Sequence, residues 1–187
     1  MQHKIFITTL FFLISHFFLS AQPVYFTRSG HIQFFSQTPL EDIKANNKKV
    51  YSSLNTQTGA LQFLLKVSQF QFKYSAMRDH FNDEDYMDSQ KFPTAEFKGK
   101  ITDLSSINFT VNGTYSASIE GSLTMHGVAK TIRTTASFQV NNNQITGVAT
   151  FPVKLEDYDI KVPKIVFKKI AETVNVTVNC IYAPYKK

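Results

Sequence analysis

The chain has 187 residues, with eighteen Phe, eight Tyr, seven Gly, six Pro and one Cys. That aromatic supply and the scarcity of Gly and Pro exclude a disordered or low-complexity chain, and the lone Cys180 excludes an internal disulfide framework. A net charge of +6 favours anionic partners such as phosphate groups or a membrane surface, but the lysines at 48–49, 161, 164, 168–169 and 186–187 are scattered and no nucleic-acid motif is present, which sets nucleic acid aside.

In chain order, Lys4 precedes an apolar stretch from Ile5 to Leu19 and then Ser20-Ala21-Gln22, the succession of regions found in a secretory signal peptide. The stretch is shorter than the roughly 20 apolar residues of a membrane span, and His16 interrupts it. Residues 1–21 are therefore expected to be a cleaved signal peptide and residues 22–187 one mature domain. The product is expected to be exported, periplasmic or secreted, and no Cys follows the cleavage signal to carry an acyl anchor.

The mature part reads as strands. Ile32 and Phe34 mark one piece, Val50, Ser52 and Leu54 a second, and Leu61, Phe63, Leu65 and Val67 a third. At Phe70 and Phe72 the parity flips, which predicts a bulge near Ser68-Gln69. Ala95, Phe97, Gly99 and Ile101 alternate with Glu96, Lys98 and Lys100, and Ile107, Phe109 and Val111 predict a short strand. From Tyr115 to Met125 the odd positions are apolar or small and the even ones polar or charged, the period of a strand with one buried face. His126-Gly127 predicts a hairpin into a strand through Ile132, Ala136, Phe138 and Val140. Residues 141–144 form a further turn, followed by a strand from Ile145 to Leu155 and a last one from Thr173 to Tyr182, with Cys180 on its apolar face as a small buried hydrophobe.

About eight antiparallel strands joined by short turns predict an all-β closed barrel or sandwich, whose interior is wide enough for packed side chains or one small ligand. Gly99, Gly121, Gly147, Ala95, Ala117, Ala136 and Ala149 stand on the apolar faces and are expected to leave room inside.

Between the third and fourth pieces lies "AMRDHFNDEDYMDSQ". As a calcium loop it lacks the turn glycine and the closing Glu, and as a zinc site His80 and Glu84 are too few ligands. On a helical repeat Met77 and Phe81 share a side, so a short amphipathic helix or loop could cover an opening while its acids face water.

Three segments carry a family resemblance: "MRDHFN" at 77–82, "KFPTAEFKGKI" at 91–101 and "GSLTMHGVAKTI" at 121–132. In that order and spacing the chain resembles the YceI-like family of exported lipid-binding proteins, from "SGHIQFFSQTPLEDIKANN" at 29–47 to the terminal strand. Thr131 stands where many members have proline, and there is no tryptophan. The resemblance implies an extended lipocalin-like antiparallel β-barrel whose apolar channel holds a polyisoprenoid or related lipid, with no cofactor and no catalysis. Candidate channel-lining residues, chosen from period and composition, are Phe63, Leu65, Phe70, Phe72, Met77, Phe81, Phe97, Phe109, Leu123, Met125 and Phe138. Arg78 and His80 are candidates for a head group, a phosphate or a quinone oxygen. The expected partner is a lipid with a long apolar chain, polyprenyl or isoprenoid quinone, with transient contact at a membrane surface. Three alternatives are a small outer-membrane barrel, a metal-dependent enzyme built on Asp79, His80, Asp83 and Glu84, and a barrel filled by its own side chains that acts through its surface as an interaction protein.

Overall fold

The computed structural model describes residues 24–161 and 170–185. The expected signal peptide and the lysines at 164, 168–169 and 186–187 lie outside the described residues. The strands are β1 (Val24–Gln37), β2 (Asp42–Asn55), β3 (Ala60–Lys66), β4 (Gln71–Phe72), β5 (Thr94–Ile101), β6 (Gly113–Met125), β7 (Val128–Asn141), β8 (Gln144–Lys154) and β9 (Thr173–Pro184). One helix, α1 (Ser75–Asn82), lies between β4 and β5.

The order β1-β9-β8-β7-β6-β5-β3-β2 closes on itself through an antiparallel β1–β2 pairing, giving an all-β, eight-stranded, lipocalin-like barrel. The two-residue β4 is the extra strand and pairs with β2 at Ala45 and Asn46, beyond the stretch that β3 covers. Period-two patterning builds the wall. Along β7, Ala136, Phe138 and Val140 are buried, while Arg133, Thr135, Ser137 and Gln139 are exposed. A barrel spanning lipid needs the opposite, apolar side chains outside and polar ones within, and the outer-membrane alternative falls on that orientation.

Turn chemistry sets the register. His126 and Gly127 take φ of 51° and 76°, the paired positive values a tight hairpin twist requires. The Phe92 ring covers this tip, 4.5 Å from the His126 ring, and His126 Nδ1 lies 2.9 Å from the Tyr158 carbonyl oxygen.

Two expected features differ. The parity flip after Val67 is made by a single 3-10 turn over Val67–Gln69, closed by the Phe70 N–H donating to the Val67 oxygen, and not by a bulge. Three residues of turn return both Val67 and Phe70 to the interior. The short strand expected at Ile107 to Val111 is absent: the Asn108 side-chain oxygen accepts from both the backbone N–H and the hydroxyl of Thr110. Such local bonds compete with a ladder and fold the segment into a turn.

The interior has two apolar layers. One, at the end carrying the β2–β3 and β7–β8 hairpins, packs Leu54, Ile101, Ile107, Val140 and Ile145. The other, at the α1 end, packs Ile32, Val50, Val67, Phe70, Met87, Val153 and Val174.

Candidate ligand-binding site

A cavity of about 430 Å³ runs between the two layers, within the 300–1,000 Å³ range usual for small-molecule sites. All eight barrel strands supply walls, among them Phe34 from β1, Ile43 from β2, Leu65 from β3, Ala95 from β5, Leu123 from β6, Ile132 from β7, Phe151 from β8 and Val176 from β9. Each projects inward because it falls on the apolar parity of its strand.

The α1 end is roofed by aromatic rings. Phe81 sits among Phe34, Phe70 and Phe72 at centroid distances of 5.5, 5.6 and 5.0 Å, and its ring is stacked on that of Phe34. Met77, one turn before Phe81, also faces the cavity, while Asp79, Asp83, Glu84 and Asp85 are exposed. The helix itself is weakly fixed: it buries no residue fully, and Tyr74 at its N-terminus supplies no side-chain cap.

The opposite end is closed by rings seated on glycines. Gly99 and Gly121 face each other across β5 and β6, and the tip of the Phe97 ring lies 2.5 Å from where a Cβ would stand on either one. The Phe138 ring takes the space beside Gly147 in the same way, at 3.2 Å. The small residues expected to leave room thus accommodate the chain's own rings at these three positions. Tyr182 completes the closure, its hydroxyl 2.9 Å from Ser52 Oγ, which donates to the Gln62 carbonyl at 2.8 Å. Behind it Cys180 is buried, and desolvation pushes its thiol up to about 11.

Of the residues singled out from sequence, Phe63, Leu65, Phe70, Phe72, Met77, Phe81, Phe97, Leu123, Met125, Phe138 and His80 line the cavity. Phe109 does not. It packs edge-on behind Phe138, 6.2 Å away, because the Asn108 turn carries it into the closed layer. Arg78 does not either; it bonds to its exposed neighbour Asp79 at 2.8 Å. Asp79, His80, Asp83 and Glu84 form no metal-holding group among the described residues.

Sequence reasoning missed Phe34, Ser36, Ile43, Phe151, Val176 and Val178, whose signal was inward parity along their strands, and Glu41 and Tyr86, which had none. The polar exceptions in the lining are Ser36, Glu41, His80, Tyr86, Glu96, Thr134 and Tyr182. Burial, with the charges of Asp85 and Asp83, holds the Tyr86 phenol above its ordinary range, so it presents a neutral hydroxyl. Among the described residues no Lys or Arg lines the cavity.

The family model described as the YceI-like domain matches residues 8–181. Among solved structures, a polyisoprenoid-binding domain from Saccharophagus degradans implicated in plant cell wall breakdown aligns with a TM-score of 0.75 at 14% identity, covering 88% of this chain and 99% of that one. Burkholderia cenocepacia BcnA aligns with a TM-score of 0.65 at 16% identity, covering 82% and 96%. A Campylobacter jejuni YCEI protein aligns over the full length of both chains with a TM-score of 0.56 at 15% identity. At these identities the likeness is one of fold. The search of curated proteins finds no match.

Proposed function

The chain belongs to the YceI-like family, and from that premise we propose that it is an exported, non-enzymatic binding protein that holds a long apolar chain, of a polyprenyl lipid or isoprenoid quinone, inside its barrel. The observation that carries this reading is the cavity of about 430 Å³ walled by apolar side chains from all eight barrel strands. The description of the Saccharophagus neighbour as polyisoprenoid-binding supports the same ligand class. Burial supplies the affinity: at about 25 cal/mol per Å² of apolar surface, several isoprene units taken from water sustain micromolar or better retention after ordering costs.

The head group belongs at the α1 end, near Glu41, His80 and Tyr86. With Arg78 paired to Asp79, this rim suits an uncharged oxygen such as a hydroxyl or quinone carbonyl better than a phosphate. Sequencing the N-terminus of the mature protein tests export, with Gln22 the expected first residue.

Organic extraction of the purified protein followed by mass spectrometry is the direct test and should recover an isoprenoid lipid. Leu123→Asp places a carboxylate in the wall, where no hydrocarbon compensates its desolvation, and should abolish retention. Lipid still bound in a folded Leu123→Asp variant would refute the reading.

A further inference from the structure

The cavity has a floor, and the floor has a defined construction. Phe97, Phe138 and Tyr182 are all nearly buried and all line the void, whereas Ile101, two steps along the face of Phe97, Val140, one step along that of Phe138, and Ile145, the cross-strand partner of Tyr182, do not. The rings cannot sink lower. Phe97 already occupies the space above the Gly99–Gly121 pair, Phe138 that beside Gly147, and the Tyr182 hydroxyl is tied to Ser52. Closed packing lies beneath: Phe109 backs Phe138, and the Asn142 N–H donates to Asn112 Oδ1 at 2.7 Å, joining the loop before β6 to the β7–β8 hairpin. An apolar chain entering beneath α1 therefore meets a fixed stop.

We infer that these three rings make the barrel a gauge of chain length, one that encloses on the order of 15–20 carbons, about three to four isoprene units, before the rest must project past α1. The size follows from volume: a dry void of roughly 150 Å³ takes one six-carbon ring, and this one measures about 430 Å³. The inference rests on the proposal that the cavity binds isoprenoid lipid and adds which length it selects. Affinity should rise with each unit that gains wall contact and stop rising when the next unit finds only solvent.

The test uses the delipidated full mature chain and all-trans prenols of 10, 15, 20, 30 and 40 carbons, each measured by displacement of anilinonaphthalene sulfonate. Tightening of about tenfold or more per unit up to 15–20 carbons, and less than about threefold beyond, is expected. Two variants move the plateau in opposite directions. Phe97→Leu clears part of the floor and should shift it to longer prenols. Ala149→Leu fills the wall at mid-height and should shift it to shorter ones. Because one variant shrinks a ring and the other adds bulk, a folding defect in either leaves the other informative, and circular dichroism establishes which is folded. Failure of the wild type to bind any prenol overturns the lipid reading itself and the gauge with it. Affinity that keeps climbing through 40 carbons overturns the gauge and leaves lipid binding standing, as does a plateau that stays put in the folded variants.

Discussion

At the end of the barrel carrying the β2–β3 and β7–β8 hairpins, side chains meet one another: Leu54, Ile101, Val140 and Ile145 are each at most 3% exposed, and Tyr182 and Ser52 satisfy each other's hydroxyls. At the α1 end the rings of Phe34, Phe72 and Phe81 are only half-buried, stand around a void, and are roofed by an uncapped helix. Both ends use the same alternating strands. Both ends also carry a buried apolar layer, and what differs is what the inward rings meet: other side chains at the closed end, and the void for Phe34, Phe72 and Phe81 at the other. Stability therefore concentrates at the closed end and access at the open one, the division expected when a binding region must open locally without unfolding the whole.

The sharpest way to break this contrast is to truncate a side chain in the closed layer. Ile145→Ala should cost about 2–5 kcal/mol, because Ile145 is 1% exposed and its neighbours can relax only in part around the cavity left behind. Urea denaturation measures it. A cost below about 1 kcal/mol would mean the closed end is not the stable one.

A somewhat smaller effect should come from alkali. The Cys180 thiol, ordinarily near 9.0, is raised to about 11 by burial beside Tyr182, whose phenol burial also raises. Above pH 9 the unfolded chain gives up the thiol proton while the folded chain keeps it. The stability contributed is thus complete below pH 9 and drains as pH rises toward 11, by at most about 2–3 kcal/mol for the thiol. Cys180→Ala should flatten that part of the curve, and a maleimide should label Cys180 only once the protein unfolds.

How much of this was legible beforehand follows from what period two can encode. It marks a face, so the inward set of β3 and of β5 to β9 can be read, along with the hairpin at His126-Gly127 and a short amphipathic element carrying Met77 and Phe81, whereas in β2 the parity flips between Asn47 and Val50 and hides Ile43. It does not mark height along the barrel axis. Choosing lining residues mainly by aromatic character consequently takes in Phe109, which lies below the floor, and leaves out Val176 and Val178, which lie above it. An inward glycine is ambiguous for a related reason: Gly99 and Gly121 look like room, yet Phe97 two residues away on the same face fills it. Arg78 stands outside the lining, paired with its exposed neighbour Asp79, a contact between adjacent side chains that strand and helix periods do not encode.

The smallest change in stability, and the most informative one about the open end, should follow Phe81→Ala. Its ring touches those of Phe34, Phe70 and Phe72 but remains half-buried, so truncation should lower stability by about 1–2 kcal/mol, less than Ile145→Ala. Its effect on binding should be larger in rate than in equilibrium. These ring contacts are the main tie between α1 and the barrel wall, and without them the helix opens more often, speeding both association and release of a prenol. Stopped-flow displacement should show both rates rising together with a modest change in their ratio. If only release accelerates, Phe81 grips the chain as part of the wall and α1 does not gate the cavity. If neither rate changes, the ligand does not pass beneath α1, and the open end of the barrel must be sought elsewhere.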